Sequence, residues 1–251
     1  MSLLQLLVDF LLGVVLGLLG GLFGIGGGLI AIPALGVLFA VEQQMAQGTA
    51  LVMVVANVAL ALWRYHQRQP IAWRQGLALG LSGLLSAWLA SLLALQLDGR
   101  SMRLAFVGFL VLLALFTLWQ LRRRGAPVLA HWSRSTFSLG VLGSVSGVLG
   151  GLFAVGSAVL ATPALTLLFG MSQVAAQGLA LTLALPATSV TLLTYAGYGQ
   201  VDWAMGIPLA LGGLLSISWG VRLAHALPDV LLRKLFCLFL IVCAAALALS
   251  L

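Results

Sequence analysis

The chain has 251 residues, of which 62% are hydrophobic and 7% charged, and its mean hydropathy is +1.18. A soluble domain carries about a quarter charged residues, so this composition excludes a water-soluble globular protein. The net charge of +7 lies in short segments between apolar runs, where Lys and Arg orient membrane helices, and it predicts no nucleic-acid partner. Apolar runs of about 18 residues or more can each cross a bilayer as a helix. The sequence therefore predicts an all-α polytopic membrane protein that contacts membrane lipid.

Five apolar segments are predicted in each half of the chain. In chain order they cover 3–19, 29–40, 46–63, 71–95 and 104–121, and then 137–149, 159–169, 174–195, 203–226 and 235–250. The second segment of each half has about a dozen residues, which is too short to span a bilayer. It also contains Pro33 or Pro163, and proline is disfavoured in a helix interior. We therefore expect one short or broken helix in each half.

The two halves are copies of each other at a fixed offset of 130 residues. Pro33 recurs as Pro163, and Gln47 recurs as Gln177. Across 13–51 about half of the positions are identical at this offset, which indicates an internal duplication. The predicted organisation is a first membrane repeat at 1–124, a basic cytoplasmic linker at 125–134 and a second membrane repeat at 135–251.

The positions of the basic residues predict that the second repeat is inverted relative to the first. If each repeat crosses the membrane an odd number of times, the segments 64–74, 122–134 and 222–234 share one side. These segments carry most of the Lys and Arg residues, and the positive-inside rule places such segments in the cytoplasm. Both termini are then outside. An even number of crossings would instead export part of this basic charge.

The glycine-rich stretch at 20–28 is the strongest functional signal. Six glycines in these nine residues disfavour a continuous helix. In a membrane, backbone released from a helix must be buried in protein or line a polar cavity. A helix that restarts near Gly28 directs unpaired N–H groups and a positive dipole end at that cavity, which suits an anion. The alternative is close helix packing through small residues.

Uncharged polar side chains follow each glycine stretch and add hydrogen-bonding groups for a small anion. Gln47 and Gln177 are the strongest of them because they match across the two copies. The alternative for each side chain is an ordinary hydrogen bond between helices. The predicted binding residues are Gly24, Gly26, Gly27, Gly28, Pro33, Gln47, Gly48, Thr49 and Asn57 in the first copy, and Gly151, Gly156, Ser157, Pro163, Gln177, Gly178 and Thr182 in the second.

These residues resemble those of the sulfite exporter TauE/SafE family of bacterial membrane permeases. The matching motifs are the glycines at 24–28 with Pro33, the segment 46–51, and the segment 199–203 of the second half. The resemblance implies a multi-pass protein of the bacterial inner membrane that moves small anions such as sulfite, sulfoacetate, thiosulfate or oxalate. The second half departs from the pattern, with Ala154, Ser157 and Ala158 in place of glycines and Leu179 at the position of Thr49. From these departures we expect the second half to contribute less backbone to a shared site.

The predicted function is a secondary transporter of a small anion that works by alternating access between two inverted repeats. A passive anion channel and a non-transporting membrane assembly protein are the alternatives, and assembly into a homo-oligomer is left open. The chain contains no HExxH, GxSxG or CxxC pattern, so we predict no enzymatic activity, cofactor or metal. Asp9 and Glu42 are the carboxylates considered for a proton relay, but both are interpreted as interfacial. Any proton movement is instead expected to accompany the substrate.

Overall fold

The computed structural model describes residues 3–68, 73–122 and 135–248. Ten α-helices form within these ranges. They are α1 (Leu3–Phe23), α2 (Gly28–Leu38), α3 (Gln43–Arg68), α4 (Trp73–Ala94), α5 (Gly99–Arg122), α6 (Thr136–Phe153), α7 (Ala158–Leu168), α8 (Gln173–Gly197), α9 (Trp203–Ala226) and α10 (Asp229–Ala248). Seven of the described helices are long and apolar enough to cross a membrane, whereas α2 and α7 have 11 residues each. The prediction of an all-α polytopic membrane fold is confirmed.

The helices follow the ten predicted segments, and the offset of 130 residues holds in the structure. The short helices α2 and α7 begin and end at equivalent positions. The break in the first helix is later than predicted, because Gly20 and Gly21 remain helical and the first left-handed residue is Gly24. The basic linker at 125–134 lies outside the described residues, so the boundary between the repeats stays a prediction.

Local side-chain bonds start several of these helices. The Ser135 hydroxyl accepts a hydrogen bond from the Ser138 backbone N–H at the start of α6, and Ser172 caps α8 in the same way. The Asp202 carboxylate accepts from two backbone N–H groups at the start of α9. Such caps satisfy donors that have no partner within the helix. They define where the long helices emerge from their connecting loops.

Glycines every four residues bring α1 into backbone contact with α9. A Cβ atom at Gly13, Gly17 or Gly21 would collide with the backbone of Leu209, Gly213 or Ile217, respectively. The residue numbers of these α1 glycines increase together with those of their partners on α9, so the two helices run parallel. Small residues allow this close approach, which is a common way to pair helices in a membrane.

The second repeat has the equivalent seam between α6 and α4. A Cβ atom at Gly143, Gly147 or Gly151 would meet the backbone of Leu79, Gly83 or Ala87. All three contacts correspond to contacts of the first seam at the offset of 130. Each repeat therefore packs its first helix against the fourth helix of the other repeat.

The equivalent helices α3 and α8 lie side by side at the centre and run antiparallel. The Tyr65 hydroxyl, near the end of α3, donates to Gln177 Oε1 near the start of α8, at 3.0 Å. The Tyr195 hydroxyl, near the end of α8, donates to Gln47 Oε1 near the start of α3, at 2.9 Å. These two bonds are reciprocal, because each tyrosine bonds to the glutamine of the other helix.

One end of the helix bundle, here named the Asp202 end, carries both acidic and basic side chains. The Asp202 backbone N–H donates to Thr49 Oγ1 at 3.0 Å, and Gln44 Nε2 donates to the Leu97 carbonyl at 2.7 Å. These bonds group the starts of α3 and α9 with the end of α4. The charged side chains described near this end are Glu42, Asp98, Arg100, Arg103 and Asp202.

The opposite end, here named the Arg74 end, is basic. The Tyr65 and His225 rings lie 4.9 Å apart there, which joins the ends of α3 and α9. Arg74 and Ser135 line one polar cavity, which joins the starts of α4 and α6. The cationic side chains described near this end are Arg64, Arg74, Arg222 and Lys234.

The glycine seams predict opposite effects for two alanine substitutions in α6. Gly147→Ala inserts a methyl group against the backbone of Gly83, so we expect it to lower the free energy of unfolding by about 1–3 kcal/mol. Gly140→Ala is the matched control, because a Cβ atom there has no neighbour within 4 Å. Alanine favours a helix over glycine by up to about 1 kcal/mol, so this control should be neutral or stabilising. Thermal unfolding of the purified variants measures both, and equal melting temperatures would contradict the seam.

Candidate functional site

Residues 24–27 form the first kink, which separates α1 from α2. Gly24, Gly26 and Gly27 have φ values of +67°, +73° and +93°, in the left-handed region that favours glycine. The Ile25 backbone N–H donates back to the Gly20 carbonyl at 3.0 Å, which closes the end of α1. The chain then turns and starts α2 without a side-chain cap. The first backbone N–H groups of α2 therefore have no partner within their own helix.

Residues 154–157 form the second kink, between α6 and α7. Gly156 has a φ of +86°, and Ala154 has a φ of +56° although it is not glycine. A left-handed conformation costs a non-glycine residue about 1–2 kcal/mol, so the surrounding contacts must enforce it. The replacement of glycine at Ala154 thus leaves the backbone course intact. The helix α7 also starts without a side-chain cap, at Ser157.

The two kinks meet near the middle of α3. A Cβ atom at Gly156 would lie 3.4 Å from the Ile25 carbonyl oxygen, and one at Gly28 would lie 3.3 Å from the Ala154 carbonyl oxygen. Val54, at the middle of α3, lies against Gly26, Gly28 and the second kink. The two kinks therefore come together beside the middle of α3.

The polar groups of the first kink are largely satisfied by side chains. Gln177 Nε2 donates to the Phe23 carbonyl at 2.9 Å, and its Oε1 accepts from the Tyr65 hydroxyl. Asn57 Nδ2 donates to the Gly26 carbonyl at 3.1 Å. A buried carbonyl without such a donor costs about 1–3 kcal/mol. Gln177 and Asn57 therefore stabilise the first kink.

Three buried side-chain donors, Gln47 of the first half and Ser157 and Thr162 of the second, have no partner among the described residues. Gln47 is the equivalent of Gln177 and accepts from Tyr195, but its Nε2 atom has no hydrogen-bond partner. The hydroxyls of Ser157 and Thr162 likewise have none, and these three side chains are at most 3% exposed. Buried polar groups are normally paired, so each of these needs an explanation. From the repeat correspondence we expect the Gln47 amide to lie beside the second kink, as Gln177 lies beside the first.

Two other predicted binding residues lie at the Asp202 end of the bundle. Thr49 Oγ1 accepts from the Asp202 backbone N–H, and a Cβ atom at Gly48 would collide with the Gln200 carbonyl. These contacts fix the loop between α8 and α9 against the start of α3. Thr49 and Gly48 therefore have packing partners of their own.

The remaining predicted residues lie inside helices. Thr182 donates to the Leu179 carbonyl of its own helix and lies against Gly76 of α4, and Gly151 belongs to the seam between α6 and α4. The predicted residues that are buried within α2, α7 and α8 are Pro33, Pro163 and Gly178. These contacts favour a role in helix packing, rather than in anion binding, for Thr182 and Gly151.

Tyr65 and Tyr195 are central to the site, although the motif analysis did not select them. They are 1% and 0% exposed, and each donates to the glutamine of the opposite repeat. Their spacing of 130 residues is the signal that was available, because two tyrosines at equivalent positions in an apolar chain are conspicuous. A search for matched polar residues at the repeat offset would have found them.

The kinks are closed in this conformation. Ile25 and Val155, at their centres, are each 1% exposed. A cavity of about 450 Å³ opens elsewhere, between α5, α6 and α7. Its lining is apolar and includes Phe109, Leu112 and Phe153, which do not suit an anion. An anion could reach the kink region only if the two kinks moved apart.

Comparisons with known proteins place the chain in a family of transporters. A model of the family described as sulfite exporter TauE/SafE matches residues 9–247. A probable membrane transporter protein of Xylella fastidiosa strain Temecula1 is 30% identical over 238 residues, which cover 92% of this chain and 88% of the relative. Probable membrane transporter protein YdhB of Bacillus subtilis is 24% identical over 237 residues, which cover 92% of this chain and 94% of the relative. No solved structure matches the chain significantly. Since the family model spans nearly the whole sequence, this chain belongs to the sulfite exporter TauE/SafE family of membrane transporters.

Proposed function

We propose that this chain is a secondary transporter of a small anion, sulfur-containing or carboxylated and such as sulfite, in the bacterial inner membrane. The observation that carries the proposal is the meeting of two broken helices beside buried, uncharged donors that have no partner among the described residues. Helix starts bind anions through backbone N–H groups and through the positive end of the dipole. Transporters with repeated halves commonly place their substrate between such broken helices.

The geometry favours the second kink as the place where the anion is held. The Gln47 amide and the Ser157 hydroxyl can both donate, and neither has a protein partner among the described residues. In the first kink, the corresponding amide of Gln177 is already bonded to Phe23. The two kinks therefore differ in role. Protein donors stabilise the first kink, whereas donors without a protein partner are available to bind an anion at the second.

The proposed transport mechanism is alternating access, and the closed state of the kinks is consistent with one of its states. Each repeat packs its first helix against the other repeat, so a rocking of the repeats would separate the kinks toward one end of the bundle at a time. The antiparallel pairing of α3 with α8 supports two repeats of opposite orientation. The basic Arg74 end is assigned to the cytoplasm by the positive-inside rule, with both termini outside.

Cysteine labelling tests this orientation. Gln67→Cys lies at the end of α3 that adjoins the Arg74 end, and Gln200→Cys lies beside the start of α3 at the Asp202 end. In intact cells we expect a membrane-impermeant thiol reagent to label only Gln200→Cys, because only that end faces outward. Wild type controls for its own cysteines, Cys237 and Cys243, which are buried. Labelling of both variants from outside would refute the inverted arrangement.

Equivalent substitutions of the two glutamines test the location of the anion. Gln47→Leu and Gln177→Leu each remove a glutamine oxygen that accepts from a buried tyrosine hydroxyl, although Tyr65 keeps the Gly21 carbonyl as a second acceptor at 3.3 Å. Gln47→Leu should weaken sulfite binding by about 10–100-fold, since a hydrogen bond to a charged group contributes about 1.5–3 kcal/mol. Gln177→Leu should mainly lower the melting temperature, because it leaves the Phe23 carbonyl unpaired. Isothermal calorimetry and thermal unfolding measure the two effects, and an equal loss of affinity in both variants would contradict the assignment.

Sulfite counterflow in proteoliposomes tests the class of protein. A carrier reorients faster when it is loaded, so internal sulfite should accelerate the uptake of labelled sulfite. A flux that internal sulfite does not accelerate would indicate a channel. The absence of flux for sulfite, thiosulfate, sulfoacetate and oxalate would indicate an assembly protein instead.

A further inference from the structure

Asp9 is a buried carboxylate inside a membrane-spanning helix. It lies two turns into α1, its side chain is 0% exposed, and neither carboxyl oxygen has a hydrogen-bond partner among the described residues. The Asp9 side chain is therefore buried between helices, whereas Glu42 is exposed, and the interfacial depth expected from the sequence stays a prediction. The equivalent residue of the second repeat is Leu139, a buried hydrophobic residue. The carboxylate is thus a feature of one repeat and has no role in the repeated packing.

The nearest charge acting on Asp9 is another carboxylate. Asp202, at the start of α9, interacts electrostatically with Asp9. Asp202 itself is satisfied, because its Oδ1 accepts from the backbone N–H groups of Ala204 and Met205. The parallel packing of α1 on α9 places Asp9 one turn before the Gly13–Leu209 contact, close to this cap. Asp9 therefore faces a negative charge and has no donor of its own.

Cationic side chains on the helices that pack against α1 lie toward the opposite end. Helix α2 carries no charged residue, and α10 packs Phe236 and Phe239 against Phe23 at the end of α1. Before α3, the described titratable side chain is the exposed Glu42, and near the end of α3 they are Arg64, Tyr65 and His66. Near the end of α9 they are Arg222 and His225. On α10 they are Lys234, Cys237 and Cys243. The end of α9 is about 20 Å or more from its start, by the helical rise.

An ionised carboxylate in this place would be costly. Moving an unpaired charge out of water costs several kcal/mol, and a nearby like charge adds to that cost. The neutral carboxylic acid carries no such penalty. In the closed conformation the surroundings of Asp9 therefore favour the protonated form.

We propose that Asp9 is a proton-carrying site of this protein. In the closed conformation its carboxyl group retains the O–H bond. When α1 separates from α9 and water reaches the group from the Asp202 end, that bond breaks, the proton passes to water and the carboxylate remains. This use of Asp9 rests on the proposed transport function, since α1 contains Asp9 and leads directly into the first kink. Protonation of Asp9 then favours closure of the kinks, which links anion movement to the proton gradient.

Thermal unfolding of the purified full chain tests the proton site without any substrate. If a carboxyl group stays protonated in the folded protein but ionises in the unfolded chain, the folded protein becomes less stable as the pH rises. The unfolding equilibrium constant then increases by about tenfold per pH unit. We expect wild type and the exposed-carboxylate control Glu42→Gln to show this loss relative to Asp9→Asn between pH 5 and 8. Asparagine resembles the neutral acid in shape and charge, so Asp9→Asn should fold at least as well as wild type. Parallel pH profiles, or a failure of Asp9→Asn to fold, would overturn the proposal.

Proteoliposomes with an imposed pH gradient test the coupling. Asp9→Asn should keep sulfite counterflow but lose the severalfold change in net sulfite flux that the gradient produces in wild type and Glu42→Gln. A gradient response that persists in Asp9→Asn would overturn the coupling, and a response to a Na⁺ gradient in its place would indicate a cation site. If wild type moves no sulfite at all, the proposed function fails for that anion, and the unfolding profiles still decide whether Asp9 carries a proton.

Discussion

Backbone contact between the first helix of each repeat and the fourth helix of the other is the constraint on which the structure depends. Gly13, Gly17 and Gly21 let α1 approach α9 so closely that no Cβ atom fits between them, and α6 and α4 repeat the arrangement. Lipid chains are as apolar as leucine, so membrane helices gain little from hydrophobic burial and rely on such packing. The seams also carry the ends of α1 and α6 to the centre, where each helix breaks. The position of both kinks therefore follows from the glycines that precede them.

Breaking a helix in a membrane leaves backbone groups that need partners. The first kink obtains them from both repeats, since Gln177 of the second repeat meets Tyr65 of the first at its edge and Asn57 of the first repeat bonds to its turn. The second kink is left-handed at Ala154 and Gly156, but Ser157 is right-handed where Gly27 of the first kink is left-handed. The amide of Gln47, which is the equivalent of Gln177, has a free donor among the described residues. The expectation that the second half contributes less backbone to a shared site stays a prediction.

Charged side chains and uncharged polar side chains occupy different parts of the helix bundle. The described cationic side chains near the Arg74 end lie at helix ends, where they can reach water and lipid head groups. The centre of the bundle relies on amides, hydroxyls and helix starts, which can bind an anion without holding it as tightly as a fixed positive charge would. Asp9 is the exception among the described residues, because it is an ionisable group placed inside a span without a partner. Such groups in membrane proteins usually serve transport rather than stability.

The sequence alone determined the membrane class, the ten helical segments, the repeat offset and the basic segments, because hydrophobic length, glycine content and charge are local properties of the chain. It also indicated the glycine stretches and both glutamines. It did not select Tyr65, it did not show that Asp9 is buried between helices, and it did not separate Gln47 from Gln177. Only the tertiary structure decided these points, because the satisfaction of a buried polar group depends on its partner. That partner can lie far along the chain, as the 154 residues between Gln177 and Phe23 show.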